Sequence, residues 1–477
     1  MSTAIWWVRR DLRLSDNQAL AAAQERAENV IPVFVLDPVL LHAGDAGEKR
    51  VAFMLEGLRK LDIDLQARGS RLIVRYGDPL EQLADLLRNT GAESIHAEED
   101  PWPYGRSRDK RVASDLPLHL TGGLTLHPPA LVHKRDGSPY TVFTPFSRTW
   151  RALPLPQMGD LLAAPERLPA VPDLDSDPVP RQPCLGPNTF FVPGEEAARQ
   201  QLLNFMTPEG PTIYLYDDAR DRLDLAGTSQ LSPYLRFGML SARQAVVHAL
   251  DAADKVANGV AGKATRKGTD TWLSELIWRE FYMAILYHFP DVLVQSFRPK
   301  LRAIEWENDG EVFNAWCEGR TGYPVVDAAM RHLVQTGWMH NRARMIVASF
   351  LVKDLLVDWR WGERCFMRHL VDGDPAANNG GWQWSAGTGT DAAPYFRIFN
   401  PVLQGKKHDP EGAFVRSWLP ELEQVPRRYI HSPWEMPLEV QRDAACLIGQ
   451  DYPAPIIDHA WARKRTLAAY ARARALD

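Results

Sequence analysis

The sequence predicts an α/β N-terminal domain with a Rossmann-like parallel sheet, followed by an all-α C-terminal domain. Short β-like runs alternate with helical runs up to about residue 130, and strand patterns end at about residue 195. Such alternation is typical of a parallel sheet flanked by helices. Ten of the 36 prolines lie between Pro154 and Pro193, which marks a boundary. We therefore predict domains at 1–130 and 196–477, joined by a connector at 131–195.

The N-terminal elements are assigned from apolar runs and from helical periodicity. Strands are predicted at 4–8, 30–36, 71–76 and 94–97, and helices at 17–26, 48–68 and 79–89. The loop after the first strand reads RRDLR, where a dinucleotide-binding fold would carry GxGxxG. The motif for a dinucleotide site is therefore missing, although ligands of such sheets still bind at the carboxyl ends of the strands.

The second part of the chain has helical periodicity throughout. Helices are predicted at 195–205, 242–257, 271–288, 310–317, 324–336, 341–357, 363–370 and 459–475. Within the range 341–357, Val347, Leu351 and Leu355 form one apolar stripe beside Phe350.

Composition restricts the class of protein. At 477 residues the chain predicts two or three domains, and its 45% hydrophobic and 24% charged residues are typical of a globular protein. No apolar run reaches the length of a membrane helix, and the N-terminus MSTAIWWVRRDLRL lacks the features of a signal peptide. The four cysteines are scattered without a CxxC pair, which argues against a zinc site or a disulfide framework and predicts a reducing, cytoplasmic location.

Charge and aromatic content are distributed unevenly. The net charge of −5 gives no support to a nucleic-acid partner, so any such partner would need a local basic surface. Residues 331–370 carry seven basic and three acidic residues, interleaved with aromatics. This pattern favours an anionic polymer, although a solvated basic face is the alternative. Twelve of the 16 tryptophans lie after residue 271.

The stretch DGDPAANNGGWQWSAGTGTDAAPYFRIFNP, at 372–401, has the composition of a ligand-binding segment. It is too polar for a core and too aromatic for a linker. Glycine allows close approach of the backbone, while Asp, Asn and Trp can bind a flat polar heterocycle. Trp382 and Trp384 are two residues apart, so they point in roughly opposite directions in a strand or a helix.

Three further segments place chemically capable residues together. The helix WLSELIWREFY brings Glu275, Trp278 and Arg279 onto one face, which is either a binding face or an ordinary amphipathic surface. In MHNRARMIVASF, Asn341 and Met345 share a face. The segment GTSQLSPYLRFG offers hydroxyls and backbone N–H groups before a helix, which suits a phosphate, although serine-rich helix starts are usually caps.

Together these segments closely resemble the photolyase/cryptochrome family. The resemblance includes WWVRRDLRLSDNQAL, GTSQLSPYLRFG, WLSELIWREFY, GYPVVDAAMRHLVQTGWMHNRARMIVASFLVKDLL and the whole of the 372–401 stretch, and it spans residues 4 to about 440. Within the family the chain is most similar to bacterial class I cyclobutane pyrimidine dimer photolyase. The resemblance implies that the C-terminal domain binds FAD and DNA, and that the N-terminal domain carries an antenna chromophore.

The resemblance implies a set of cofactor-binding residues. The FAD phosphates and ribose would be held by Tyr216, Thr228, Ser229, Gln230, Leu231 and Ser232. Further cofactor contacts are implied for Trp272, Arg344, Asp372, Gly373 and Asp374, and the amide of Asn378 would lie at the flavin N5. Plant cryptochromes carry Asp at the position of Asn378, so the amide favours repair.

A second set is implied for the flipped DNA lesion. Trp278 and Trp384 would bracket the cyclobutane dimer, and Glu275 would hydrogen-bond its carbonyls and stabilise the anion that follows electron arrival. The other expected lesion and DNA contacts are Arg220, Arg279, Asn341, Arg342, Met345, Gln404 and Lys406. Trp382, Trp359 and Trp306 match the family's electron-hopping chain from the flavin to the surface.

The antenna segments depart from those of the folate-binding relatives. In those relatives an acidic residue follows a Tyr in the segment equivalent to 97–109, and a Cys-Lys pair precedes the Arg-Pro at Arg298-Pro299. Here the two segments read AEEDPWPYGRSRD and VLVQSFRP, so both folate-binding features are missing. The PYGRSRD run resembles members that bind an 8-hydroxy-deazaflavin. Arg10, Asp37, Asp100 and Arg108 would then contact that chromophore, with an empty or different antenna pocket as the alternative.

The resemblance implies a deoxyribodipyrimidine photo-lyase, a carbon–carbon lyase in which light-excited reduced FAD donates an electron to a cyclobutane pyrimidine dimer. The expected partners are damaged duplex and single-stranded DNA, with no metal and no membrane, and the expected state is a monomer in the cytoplasm, at the nucleoid when bound to DNA. There are three rival functions. A six–four photolyase carries a His pair where this chain has Asn341-Arg342, and a DASH-type member usually replaces the residue at Trp384. The third rival is a cryptochrome, a photosensory protein without repair activity. The complete set of lesion residues favours duplex dimer repair.

Overall fold

The computed structural model describes residues 2–44, 46–186, 189–207, 212–259 and 266–475. Its N-terminal part contains a five-stranded sheet in the order β3-β2-β1-β4-β5, in which every neighbouring pair is parallel. The strands are β1 Thr3–Val8, β2 Asn29–Leu36, β3 Ile73–Tyr76, β4 Ser94–Glu99 and β5 Leu118–Gly123. The predicted α/β fold and four of its strands are confirmed.

The central strands are nearly continuous apolar runs because helices cover both faces of the sheet. In β1 and β2 almost every residue is buried, and Ile5, Trp7, Ile31 and Val33 lie in one hydrophobic cluster. The sequence analysis missed β5, whose residues LHLTGG are mostly half-buried. An edge strand has one neighbour and less burial, so its apolar pattern is weaker.

Contacts within the chain separate two compact units. The first contains residues 1–217, 228–290 and 371–374, and the second contains 218–227, 291–370 and 375–477. This division differs from the predicted domain boundaries at 1–130 and 196–477, because the first unit also contains helices that follow the connector. The predicted boundaries mark where strand patterns stop in the sequence. The first unit is defined by contacts, and it includes the sheet together with several later helices.

Two helices of the first unit, at 18–26 and 79–90, match their predicted bounds to within one residue. Its helices are α1 Gln18–Arg26, α2 Pro38–Leu41, α3 Glu48–Gln66, α4 Pro79–Thr90, α5 Pro103–Asp115, α6 Phe143–Ala152, α7 Glu195–Phe205, α9 Ser232–Phe237, α10 Ala242–Ala257 and α11 Arg266–His288. The short α8, Tyr216–Ala219, lies at a boundary of the two units.

The predicted connector covers an edge of the sheet. The β3 backbone N–H groups of Val74 and Tyr76 donate to Ser176 Oγ at 2.9 Å and to Asp177 Oδ2 at 2.8 Å, and the N–H of Asp177 donates to the carbonyl of Val74 at 2.9 Å. Proline-rich chain thereby occupies the bonding groups of an edge strand, which would otherwise be open to pairing with another chain. Residues 187–188 of this connector lie outside the described residues.

The second unit is helical wherever its described residues form regular elements. These helices are α12 Gly310–Cys317, α13 Pro324–Thr336, α14 Asn341–Ser349, α15 Trp359–His369, α16 Pro375–Ala386, α17 Pro401–His408, α18 Ala413–Trp418, α19 Leu438–Asp443 and α20 His459–Ala475. The predicted single helix at 341–357 is wrong at its C-terminal end, because a π-helical turn, Phe350–Asp354, follows α14. Lys353 in that turn is buried and donates to the carbonyl of Ala386 at 2.9 Å, at the end of α16.

In the described part of the chain, no helix combines the length and the apolar character needed to cross a bilayer.

A glycine at the end of α9 allows close packing against the loop after β1. Gly238 has φ +61°, and a Cβ built there would lie 1.9 Å from the carbonyl oxygen of Arg10. We expect Gly238→Ala to lower the free energy of unfolding by more than the roughly 1–2 kcal/mol of left-handed strain alone. The control is Gly91→Ala, at φ +65° with nothing within 4 Å of the added Cβ. Chemical denaturation of both variants tests this, and equal losses would contradict it.

Candidate functional site

The loop after β1 places a buried arginine against an acid from a distant part of the chain. Arg10 Nη2 donates to Asp374 Oδ2 at 3.0 Å, and both side chains are about nine-tenths buried. Arg10 Nη1 also lies 3.9 Å from Asp100 Oδ1, at the end of β4. The sheet order reverses between β1 and β4, which is the point where such sheets bind ligands.

A second arginine holds the same acidic segment. Arg236 Nε in α9 donates to the carbonyl of Gly373 at 2.8 Å, and the Arg236 carbonyl accepts from Arg10 Nε at 3.1 Å. The two guanidinium groups lie 3.7 Å and 4.3 Å from the centroid of the Trp102 ring. Burial and the charge of Arg10 lower the pKa of Arg236. Asp372 and Asp374 are themselves buried.

The four predicted antenna residues all have partners within the first unit. Arg108 Nη2 lies 3.7 Å from Asp100 Oδ2, and Arg108 Nε donates to Asp109 Oδ1 at 3.0 Å. Asp37 caps α2 by accepting from the N–H of Val39 at 2.9 Å, and it also accepts from the hydroxyl of Tyr104. The structure brings Arg10, Asp100 and Arg108 together, but their contact with a chromophore stays a prediction.

The predicted phosphate cradle is a tight loop before α9. Gln230 has φ +53°, a left-handed conformation that is rare for a residue with a side chain and often occurs at functional sites. The buried Trp272 donates its indole N–H to Ser229 Oγ at 3.3 Å, and Gln201 Nε2 donates to the Ser229 carbonyl at 2.9 Å. The loop is therefore fixed from two sides while Thr228 and Ser232 remain accessible to solvent.

Tyr216 and Leu231 complete the predicted cofactor set of the first unit. Both are buried, and the ring of Tyr216 packs edge-on against Phe205 at a centroid distance of 5.9 Å. Phe205 also packs against Trp272, at 5.3 Å. These ring contacts hold Tyr216 in place, and the cofactor contacts of Tyr216 and Leu231 stay predictions.

The helix α11 carries a stacked aromatic pair. The half-buried Trp278 ring is parallel to Phe143 of α6, with an interplanar angle of 4° and a centroid distance of 3.7 Å. Phe281 and Tyr282 contact the same indole at 5.5 Å and 5.6 Å. Phe143 therefore fixes the plane of the Trp278 ring and covers one of its faces. Glu275 lies one helical turn earlier and is half-buried.

Arg279 differs from its neighbours on α11. Its Nη1 donates to the carbonyl of Leu124 at 2.7 Å and its Nη2 to the carbonyl of Leu235 at 3.2 Å. Burial lowers the pKa of Arg279. The guanidinium thus ties α11 to α9 and to the end of β5, and the predicted DNA contact of this residue gains no support from these bonds.

In the second unit, residues Pro375–Ala386 of the predicted ligand-binding segment form the helix α16. Asn378 Nδ2 donates to the carbonyl of Glu363 at 3.0 Å and to its carboxylate at 3.1 Å. Because the amide N–H groups are used there, Asn378 Oδ1 is the amide atom suited to accept a further hydrogen bond. On another face of α16, Asn379 and Gln383 each donate to the carbonyl of Val292 at 2.9 Å and fix the helix rotation.

The two tryptophans of α16 have different surroundings, as their spacing predicted. Trp382 is 2% exposed, while Trp384 is half-buried. Trp382 packs on Gly362 of α15, where an added Cβ would lie 2.1 Å from its ring. Trp359 is fully buried at the start of the same helix, and Trp306 is half-buried against Tyr470 at 6.1 Å. Trp306, the residue predicted to lie nearest the surface, is the most exposed of the three.

The start of α14 carries the predicted polar face. Asn341 is exposed, and its Nδ2 lies 4.0 Å from Met345 Sδ, so the two residues share a face as predicted. Arg342 forms a bidentate ion pair with Asp221, at 3.1 Å and 2.7 Å. Arg344 Nε donates to the carbonyl of Met339 at 2.8 Å.

The remaining DNA candidates lie nearer the surface. Arg220 and Gln404 are half-buried, and Lys406 is exposed on α17. Their phosphate contacts stay predictions.

Comparison with known proteins identifies the family. The family description "DNA photolyase" matches residues 4–170, and "FAD binding domain of DNA photolyase" matches residues 272–472. The chain is 42% identical to the deoxyribodipyrimidine photo-lyase of Synechococcus sp., over 98% of this chain and 96% of the relative. It is 40% identical to that of Escherichia coli, over 99% of both chains. The chain belongs to the DNA photolyase family.

Solved photolyase structures share the fold. A bacterial class III photolyase from Agrobacterium tumefaciens has a TM-score of 0.91 at 38% identity, covering 100% of this chain and 98% of its own. An archaeal photolyase from Sulfolobus tokodaii, described with two FAD molecules, has a TM-score of 0.81 at 33% identity, covering 98% and 100%. The predicted fold and family are confirmed, and the class I placement within the photolyase family stays a prediction.

Several residues of these photolyase-family sites were missed by the sequence analysis. Phe143, Arg236, Glu363 and Trp316 contact predicted site residues, yet each lies in a different segment from the residue that it supports. No local pattern marks such a partner, because the pairing is made only by packing. Arg236 lies inside the GTSQLSPYLRFG segment, and this position was the only sequence feature that could have marked it as a site residue.

The N-cap of α14 predicts a pH dependence. His340 Nδ1 accepts from the N–H of Arg342 at 3.1 Å, and burial lowers the pKa of His340 to about 4. Between about pH 6.5 and pH 4 the unfolded chain binds a proton there that the folded chain does not, so stability falls as the pH falls. We expect His340→Asn, which keeps a capping acceptor, to reduce this slope.

The measurement is the free energy of unfolding of the wild type and the variant at pH 4.5 and pH 7. The matched control is His133→Asn, at an exposed histidine of the first unit. An unchanged slope in His340→Asn would contradict the assignment of a neutral capping imidazole.

Proposed function

We propose that this protein is a light-dependent DNA repair enzyme, a deoxyribodipyrimidine photo-lyase that splits cyclobutane pyrimidine dimers. The observation that carries the proposal is the family membership over the full chain, joined to a retained Glu275, Trp278, Asn341, Met345 and Trp384 set. The second function class is a photosensory cryptochrome. None of the lesion-facing residues specifically favours it.

The residues present fit FAD. The fixed loop at 228–232 presents hydroxyls and backbone N–H groups suited to phosphate, and the oriented amide of Asn378 presents an acceptor suited to a protonated ring nitrogen. Arg344, Asp372, Gly373 and Asp374 are proposed as further cofactor contacts. When bound in its reduced form, FAD absorbs near-UV and blue light and supplies the electron that opens the cyclobutane ring.

The protein's own contribution is to hold a flipped dimer in a fixed orientation. Extruding a nucleotide costs a few kcal/mol, and less for a damaged base, while stacking on an aromatic ring returns roughly 1–3 kcal/mol per base. Because Phe143 covers one face of Trp278, a stacked pyrimidine would lie on the opposite face. Trp384 is proposed as the second aromatic contact and Glu275 as the hydrogen-bond partner of the pyrimidine carbonyls.

Contacts to the DNA backbone are assigned to Arg220, Arg342, Gln404 and Lys406. Such contacts position the duplex without reading its sequence. We leave Arg279 out of this set, because its guanidinium already donates to two backbone carbonyls. We also propose that the enzyme acts as a cytoplasmic monomer that lies at the nucleoid when it is bound to DNA.

We also propose a second chromophore, an 8-hydroxy-deazaflavin rather than methenyltetrahydrofolate, near the loops after β1 and β4. The support is the position of Arg10, Asp100 and Arg108 at the switch point of the sheet. Extraction of the purified protein and mass spectrometry of released chromophores distinguishes the two candidates.

The decisive experiment is repair by the FAD-loaded, dithionite-reduced protein. A duplex with one thymine dimer is illuminated with blue light, and intact thymines are quantified against a dark control. Light-dependent recovery is the expected result. Tight flavin binding without repair of duplex or single-stranded substrate would favour the photosensory function.

Glu275 is expected to act after binding. We expect Glu275→Ala to lower the repair yield per absorbed photon several-fold while leaving lesion affinity within about twofold, because a stabilised anion matters only after electron transfer. Asp270→Ala, at an exposed position of the same helix, is the matched control. An unchanged yield would remove the assigned role.

Phe143 is expected to determine lesion affinity through Trp278. An aromatic pair contributes about 0.5–1.5 kcal/mol, so Phe143→Ala should weaken dimer binding about two- to tenfold, with less effect on undamaged DNA. Phe143→Tyr should retain most of the affinity, and Phe190→Ala serves as an aromatic control elsewhere. Equal weakening for damaged and undamaged DNA would indicate a merely structural role.

A further inference from the structure

Two cysteines that are 48 residues apart meet in the core of the second unit. Cys317 ends α12 and Cys365 lies within α15, and their Sγ atoms are 3.6 Å apart. Cys365 is 7% exposed and Cys317 is half-buried. Formation of a disulfide bond of about 2 Å would need a movement of less than 2 Å. The sequence analysis regarded the cysteines as scattered because their spacing carries no local pattern.

The thiol pair borders the aromatic cluster that contains Trp382. Trp316 precedes Cys317 in the chain and contacts Trp382 edge-on, at a centroid distance of 6.0 Å. Phe366 follows Cys365 and contacts Trp382 at 5.0 Å and Trp316 at 6.2 Å. All of these residues belong to or pack against one hydrophobic cluster. Trp316 therefore connects the thiols to the first tryptophan of the predicted electron chain.

The surroundings keep the Cys365 thiol protonated and would leave a Trp382 radical cation strongly oxidising. The hydrogen bond with Cys317 and burial raise the pKa of Cys365, so it reacts slowly with ordinary thiol oxidants, which attack thiolates. The buried indole N–H of Trp382 has no acceptor among the described residues. A Trp382 radical cation would therefore keep its proton, and with it the oxidising strength needed to take an electron from a thiol.

We propose that Cys317 and Cys365 are an internal two-electron donor that reduces oxidised flavin in the light, through Trp316 and Trp382. The two thiols lose two electrons and two protons and form one S–S bond. The conversion of FAD to FADH⁻ takes up both electrons and one proton, and the second proton goes to solvent. This inference rests on the proposed function, because light and the flavin provide the oxidising power. The dithiol is used once until an external thiol reduces the disulfide again.

The test follows the cysteines themselves. FAD-loaded protein with oxidised flavin is freed of external thiols, illuminated anaerobically with blue light, denatured with an alkylating reagent and mapped by mass spectrometry. We expect a Cys317–Cys365 disulfide that forms only in the light and approaches one per flavin reduced. Absence of this disulfide while the flavin is reduced would overturn the proposal.

Variants separate the path from general effects. Cys317→Ala and Cys365→Ala should lose donor-free flavin reduction, and added external thiol should restore it. Cys446→Ala removes another buried thiol and should behave as the wild type. Trp316→Phe and Trp382→Phe should abolish the light-dependent disulfide. Equal donor-free reduction in Cys317→Ala and the wild type would overturn the proposal.

Failure of this inference can be distinguished from failure of the proposed function. Dimer repair by dithionite-reduced Cys365→Ala needs no internal donor and should equal that of the wild type. If repair occurs and no disulfide forms, only the thiol inference falls. If the disulfide forms and neither protein repairs dimers, the repair function falls and the photochemical role of the thiols stands.

Discussion

The ion pair between Arg10 and Asp374 is the interaction on which the arrangement of the first unit depends. It attaches residues 371–374 to the loop after β1, although the chain on either side of this segment belongs to the second unit. Removing one partner of a buried ion pair typically costs about 3–5 kcal/mol, because the other charge stays buried. Arg236 and Trp102 complete the support, so the proposed cofactor acids are fixed by the sheet domain.

The helix α11 shows how one element serves several purposes. Trp272 donates a hydrogen bond to the loop at 228–232, and Trp278 stacks on Phe143. Arg279 donates hydrogen bonds to two backbone segments. These residues are spaced so closely that the sequence suggested a single binding face. The guanidinium of Arg279 donates to two backbone carbonyls, and the binding roles of all three residues stay predictions.

The second unit combines rigidity with a concentration of oxidisable side chains. Asn379 and Gln383 fix the rotation of α16, and this rotation directs Trp382 into the core and Trp384 toward solvent. Close packing of Trp382 on Gly362 leaves no room for a side chain at that position. The dense contacts of Trp316, Phe366 and the two cysteines follow from the same packing, which brings several oxidisable side chains together in one core.

Periodicity and motif order are local or linear properties, so they predicted the α/β and all-α parts, the bounds of most of the helices assigned from the sequence, and the family. They also marked 372–401 as a candidate ligand-binding stretch and predicted that Trp382 and Trp384 point in opposite directions. Tertiary structure alone decided the edge strand β5, the π-helical turn after α14, the stacking of Phe143 on Trp278 and the meeting of Cys317 with Cys365. These features join residues far apart in the chain, and their energies come from packing and desolvation that no single segment encodes.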